Sequence, residues 1–231
     1  MEKRKPKKKK LDIIYEDKEL IVINKPTKKL CVSTDKIKTN TLYSEVSSYV
    51  KKQNPKNKIF IVHRLDRDTS GLVVFAKNEI LKRKLQDNWD KLAINREYIA
   101  IVDGVPSKNK DTLKDYLKES KSLEVYVTDD TKNGKLAITD YEVIKKTRVY
   151  SMLKINIHTG RKNQIRVQLS NIGHPVVGDK KYKSRNNPLG RLALHANKLE
   201  LIHPVTKKNM LFECKVPTGF ERIFGGVIDD W

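Results

Sequence analysis

The densest polar cluster of the chain is His63-Arg64-Leu65-Asp66-Arg67-Asp68-Thr69-Ser70-Gly71. It stands between two apolar runs, Ile59-Phe60-Ile61-Val62 and Gly71-Leu72-Val73-Val74-Phe75-Ala76. Two strand candidates thus flank a charged loop, and a loop held by a rigid scaffold is where reactive groups are commonly presented. Asp66 is bracketed by Arg64 and Arg67. A carboxylate between two cations stays ionised, which suits a nucleophile or a base better than an acid. An ordinary salt-bridged surface turn would carry the same residue types.

Asp66 and Asp68 also invite a paired-carboxylate reading. In an extended strand, side chains two residues apart lie about 6.6 Å from each other on one face. That is inside the roughly 6.5–9.5 Å window of inverting glycosidases. The general acid of such a pair must hold its proton, and Arg67 between the two opposes that. Aromatic residues, the usual sugar platforms, make up only 7% of the chain. The glycosidase reading is weak.

A second polar cluster is His158-Thr159-Gly160-Arg161-Lys162-Asn163-Gln164-Ile165-Arg166. Amides at a helix N-terminus, with Arg161 and Lys162 beside them, would make a phosphate site. If Arg166 points inward it needs a carboxylate partner, and Asp66 is the one on offer.

Other catalytic templates are missing. The chain has no phosphate loop ending in Gly-Lys-Ser/Thr and no GxGxxG. It has no GxSxG elbow and no HExxH helix. Histidines 63, 158, 174, 195 and 203 are too scattered for a local metal site, and Cys31 and Cys214 stand alone. Neither cofactor nor metal is expected, and unpaired cysteines fit a reducing cytoplasm.

Charge points to the partner. The 231 residues carry 49 basic and 28 acidic side chains, a net +21. Such an excess favours a polyanion, most often nucleic acid. Lysine-rich codon usage would raise Lys too, but it should raise Glu alongside. Residues 1–10 hold seven basic side chains and one Glu, and read as a disordered arm ahead of a single domain over 11–231. No run approaches the roughly 18 apolar residues of a membrane span, and no apolar stretch of a secretory signal follows the basic start.

The elements that must position these clusters are mostly strands. Residues 20–23, 71–76 and 98–102 are short apolar strands, and 71–76 is apolar enough to be buried on both faces. Leu153, Ile155 and Ile157 alternate with Lys154, Asn156 and His158, as in a strand with one buried face. A helix is expected over 41–50. Asn78 caps a second, with Leu81, Leu85, Trp89 and Leu92 at helical spacing. Ile165, Leu169 and Ile172 form a third stripe closed by Gly173, though Ile165, Val167 and Leu169 alternate as a strand would. Strands outnumber helices and seldom alternate with them, which predicts an α+β fold around a mixed, mainly antiparallel sheet.

With these residues in view, the segment HRLDRDTSGLVVFAKN at 63–78 resembles the catalytic motif of the RluA-like pseudouridine synthases. The pattern HRLD, two variable residues, then TSG is highly specific. Four further segments follow the family's order: INKP at 23–26, REYIAIVDG at 96–104, HTGRKNQIRVQLSNIGHPVVGDKKY at 158–182 and LALHANKLELIHPV at 192–205. The resemblance spans about residues 12–217. It implies an α+β catalytic domain with a central cleft, and isomerisation of uridine to pseudouridine in ribosomal or transfer RNA. It implies no cosubstrate, and a monomer is expected.

Position by position, the resemblance implies that Asp66 is the essential carboxylate and that Arg64 enters the stack vacated by the flipped uridine. Tyr98 is similar to the tyrosine that packs on the uracil, and Arg166 to the arginine that pairs with the catalytic Asp. Ile165 is similar to an apolar wall residue. Arg161 and Lys162 are RNA-contact candidates. Two departures stand out: Thr27-Lys28-Lys29 follows Lys25-Pro26 where a glycine is common, and Lys162-Asn163 replaces Thr-His. The small N-terminal S4-like domain of many relatives is not expected here. A binding-only protein on a lapsed synthase fold is the alternative, and the intact Asp66, Arg64, Tyr98 and Arg166 speak against it.

Overall fold

The computed structural model describes residues 10–33 and 39–225; of the basic arm expected over 1–10, only Lys10 falls among them, and it is exposed. In chain order the strands and helices are β1 (Ile13–Glu16), β2 (Leu20–Lys25), α1 (Leu42–Gln53), β3 (Phe60–Ile61), β4 (Ser70–Ala76), α2 (Glu79–Asp87), α3 (Trp89–Leu92) and β5 (Ala93–Asp103). They continue as β6 (Lys110–Glu119), β7 (Val125–Thr128), β8 (Lys135–Lys146), β9 (Tyr150–Ile157), α4 (Gln164–Asn171), β10 (Leu194–Ile202), β11 (Asn209–Glu213) and α5 (Thr218–Arg222). The strands form one sheet in the order β1-β2-β4-β10-β5-β9-β8-β6-β7, with β11 on β10 and β3 on β4. Among these pairs only β4 with β10 is parallel. The expected mixed, mainly antiparallel sheet is present. None of the described helices is long and apolar enough to cross a membrane.

Two helices on opposite faces explain the apolar run of β4, in which every residue is buried. Val73 and Phe75 pack with Ile21 and Ile23 under α1, whose Leu42, Val46 and Val50 face them. Leu72 and Val74 pack with Leu20 and Val22 against Leu81 and Leu85 of α2. A strand covered on both faces loses its polar alternation. Across the sheet, Ile99, Ile101, Leu153 and Ile155 form another core with Ile165 and Leu169 of α4. Tyr98 borders both this core and the one under α1, so it sits at their seam.

The caps differ in detail from the sequence expectation. Thr41 is the N-cap of α1 rather than its first residue, closing a capping box with Ser44. Asn78 caps α2 as expected, accepting from the Leu81 amide at 2.7 Å. The stripe from Leu81 to Leu92 is not one helix, however. It breaks at Asn88 into two short helices, and Trp89 stacks on His63 at 4.6 Å between ring centres while packing against the same core as Leu81 and Leu85. Residues 165–171 are helical, not extended, and Gly173 leaves the helix at φ +84°. The span between β5 and β9, for which no element was expected, supplies β6, β7 and β8.

Candidate active site

Asp66 sits on an irregular loop between β3 and β4, and several groups fix that loop from beneath. Lys25, fully buried at the end of β2, donates to the carbonyls of Pro26, Lys29 and Arg67 at 3.1, 2.8 and 3.0 Å. Burial pushes its ammonium down to about 8, against the upward pull of Cys31, Asp68 and Asp66. The Thr27 hydroxyl donates to the Asp68 carbonyl at 2.7 Å. The Cys31 thiol spans Leu65, donating to its carbonyl at 3.3 Å and accepting from its amide at 3.4 Å.

The loop's ends are pinned as well. His63 Nε2 accepts from the buried Val74 amide at 3.1 Å. Burial, with the Arg96 cation, pushes the His63 ring down to about 4, so it is neutral at pH 7 and keeps this lone pair free. At the other end Gly71 has φ +116° and lies against β10. A Cβ there would stand 2.1 Å from the Ala196 carbonyl oxygen, so no other residue fits. Ser70 Oγ meets His195 Nδ1 at 2.8 Å and accepts from Arg191 Nη2 at 2.6 Å.

Above this base lies a pocket of ≈100 Å³. Arg64, Asp66, Tyr98, Arg161, Ile165 and Arg166, six of the seven site residues expected from sequence, line it. Lys162 is the exception. It turns to the far side of its own turn and pairs with Glu119 of β6. Arg64 is exposed and Asp66 partly so. The Tyr98 hydroxyl is pushed up to about 12 by burial, so it holds its proton at neutral pH.

Arg166 Nη1 reaches Asp66 Oδ2 at 3.2 Å, the pairing that the sequence suggested. It is not the principal one. Nε and Nη2 of Arg166 donate to both oxygens of buried Asp179 at 2.6 and 2.9 Å. Although burial opposes the charge, Asp179 first and then Asp66 hold the guanidinium pKa above its ordinary value. Asn163 Oδ1 accepts from the same Nη1 at 3.0 Å, and the Tyr182 ring covers the guanidinium at 5.1 Å.

The expected flanking of Asp66 by cations is different in space. Arg67 turns outward to Asp68, its Nε 3.2 Å from Oδ1, so the arginine that meets Asp66 comes from 100 residues away. Nor do Asp66 and Asp68 share a strand face: both lie in the loop, and Asp68 is occupied by Arg67. The extended-strand spacing that the paired-carboxylate reading assumed is not the arrangement found.

Asp179, Lys25, Gln164 and Arg96 were not singled out by sequence reasoning. Gln164 Oε1 accepts from Thr159 Oγ1 at 2.7 Å and from the Arg161 amide at 3.0 Å, while its Nε2 donates to the Ile138 carbonyl and Thr139 Oγ1. Arg96 donates to the His158 carbonyl at 2.7 Å. Together they set the 158–161 turn. Asp179 and Lys25 stood inside the quoted segments, but a buried acid or lysine carries no local sign of its distant partner.

Solved structures share this architecture. Human RNA pseudouridylate synthase domain containing 4 superposes with a TM-score of 0.74 at 24% identity, covering 90% of each chain. Human RNA pseudouridylate synthase domain containing 1 gives 0.72 at 23%, covering 90% of this chain and 84% of that one. The fold is that of the pseudouridine synthases.

Sequence comparison carries the assignment further. A family model described as RNA pseudouridylate synthase matches residues 19–171. An uncharacterized RNA pseudouridine synthase of Bacillus subtilis is 32% identical, over 92% of this chain and 71% of its own. Ribosomal large subunit pseudouridine synthase C of Rickettsia typhi is 36% identical, over 91% and 69%. The chain belongs to the RNA pseudouridylate synthase family, whose enzymes isomerise uridine to pseudouridine within RNA.

Proposed function

We propose that the substrates are uridines of structured RNA, ribosomal before transfer RNA, and that the isomerisation depends on Asp66. The observation that carries the reading is Asp66 held at 3.2 Å by Arg166 in a pocket shared with Tyr98. Ribosomal RNA is placed first because similar proteins are named as large-subunit enzymes.

In the reaction the N1–C1′ bond breaks, the uracil turns, and C5 bonds to C1′. C5 gives up a proton and N1 gains one, so the atoms balance within one nucleotide and no cosubstrate is consumed. The Asp66 carboxylate can attack the sugar, attack the base, or take a sugar proton, and the Arg166 contact orients it for any of these. Tyr98, with its hydroxyl protonated, packs on the uracil, and Ile165 walls the pocket.

A base inside a helix must leave the stack to reach Asp66, at a cost of a few kcal/mol. Arg64, exposed at the same pocket, enters the gap and offsets part of it. Arg161 takes a backbone phosphate. On this reading residues 11–231 are one catalytic domain that works as a monomer. The free thiols Cys31 and Cys214 suit the cytoplasm.

The test is the purified protein acting on unmodified ribosomal and transfer RNA transcripts, with pseudouridine counted in nuclease digests. Conversion at defined uridines is expected. Tight RNA binding without product would favour the binding-only alternative.

A further inference from the structure

A second pocket, of ≈240 Å³, lies against the first where β6, β7 and β8 meet the 158–162 turn. Gly160 and Arg161 line both, so they share a wall. Lys118, Lys135, Arg161 and Lys162 face this second space, against one lining carboxylate, Glu119. The cations are not equally committed. Arg161 is tethered by its Nε to the Leu136 carbonyl at 2.9 Å, and Lys118 pairs with Asp130 at 2.9 Å. Lys162 pairs with Glu119. Lys135 is exposed and has no ion pair among the described residues.

We propose that this second pocket seats an RNA phosphate flanking the target uridine, with Lys135 and Lys162 as its cations and Glu119 as the group it displaces. The proposal rests on the RNA-modifying reading of the adjoining pocket. A strand whose target base enters the first pocket must pass its neighbouring phosphates over the shared wall of Gly160 and Arg161. Two lysines beyond that wall meet them with a compact charge of the right sign. The Lys162–Glu119 pair is open to water, with side chains 41% and 39% exposed, so little is lost when Lys162 changes partner. Glu119 then stays beside the phosphate as a like charge, and it weakens binding.

The sign of that last effect is the test. Binding of an unmodified large-subunit ribosomal RNA transcript is measured at several salt concentrations, alongside KM and kcat. Glu119→Gln is expected to bind severalfold tighter, because it removes both the competitor for Lys162 and the repulsion. Lys135→Glu is expected to bind severalfold weaker and to flatten the log–log salt slope by about 1, with KM changing more than kcat. Lys58→Glu, in the loop leading to β3, is the control for general loss of positive charge and should change far less. A Glu119→Gln variant that binds no tighter, or a Lys135→Glu variant no weaker than the control, overturns the proposal. Binding is read without turnover, so a transcript the enzyme binds but never converts counts against the substrate reading and not against the phosphate seat.

Discussion

Arg166 grips Asp179 with two parallel hydrogen bonds, at 2.6 and 2.9 Å, and offers Asp66 only its remaining nitrogen, at 3.2 Å. Asp179 is almost wholly buried and is itself fixed by the amides of Lys181 and Tyr182, at 3.2 Å each. The plane of the guanidinium is therefore set before any substrate arrives. What remains free is one N–H aimed at the carboxylate of the loop. A preset donor of this kind costs no reorganisation when charge shifts on Asp66.

Replacing Arg166 by Ala should leave Asp179 charged, buried and unpaired, at a cost of roughly 3–5 kcal/mol. Urea unfolding reads this directly. The double change Arg166→Met with Asp179→Leu should recover much of the stability, since an apolar pair can replace a buried ion pair, yet it should restore no turnover. An unchanged unfolding midpoint in Arg166→Ala would show that the arrangement carries no energy.

Lys25 predicts a separation of stability from activity at alkaline pH. Its folded value, about 8, lies below the ordinary 10.5. Between these values the unfolded chain binds more protons, so this group's contribution to stability rises with pH. Its grip on the loop goes the other way. Neutral Lys25 has two N–H groups for three carbonyls, and one of those carbonyls belongs to Arg67, beside Asp66. Turnover should fall severalfold as pH passes about 8 without a matching drop in melting temperature. Lys25→Met should lack that alkaline limb and be slow throughout. A wild-type profile flat across about pH 7–10 would contradict this role.

Two imidazoles, His195 buried and His63 half-buried, set the acid side. Burial holds His63 and His195 at about 4, helped by Arg96 and Arg191 respectively, below the ordinary 6.5. The folded state binds fewer protons than the unfolded one across that window. Stability from both groups is therefore present above 6.5 and lost as pH falls towards 4. Thermal melts from neutral to acid pH should show the decline, with a shallower slope in His63→Gln. His63→Ala should cost about 1–3 kcal/mol at neutral pH, because the buried Val74 amide loses its acceptor. A melting temperature indifferent to pH in this range would contradict the buried, neutral state.

Local pattern gave several elements, but not β6, β7 or β8, and it missed most of the side-chain partners. The run of residues 71–76 announced a strand covered on both faces because both covers, α1 and α2, impose the same apolar demand. Helix α4 was ambiguous in sequence because residues 164–169 are all buried, which removes the polar face that periodicity needs. The apparent helix from Leu81 to Leu92 breaks at Asn88 into two, yet Trp89 and Leu92 still pack against the core that Leu81 and Leu85 enter, so the apolar spacing was real although the single helix was not. The pairing of Asp66 with Arg166 was legible because a buried charge needs a partner, and the resemblance implied the same pair. Asp179 satisfies Arg166 better, and its 13-residue separation from it crosses a loop that no periodicity describes. Lys162 looked like an RNA contact from its neighbours, but Glu119 lies on a strand that sequence reasoning never recognised.

The central claim is that the carboxylate of Asp66 does the chemistry while the rest of the pocket holds the RNA. Asp66→Asn changes charge and nucleophilicity but hardly shape, and Asp66 is partly exposed, so fold and RNA affinity should survive. Purified variant and wild type are incubated with the same unmodified ribosomal RNA transcript, and pseudouridine is quantified by mass spectrometry beside a binding isotherm. The account predicts unchanged affinity within a few-fold and product formation reduced by at least about 10²–10⁴-fold, the range a positioned proton-transfer group contributes. Pseudouridine formed by the pure Asp66→Asn variant at a rate near that of wild type would contradict it.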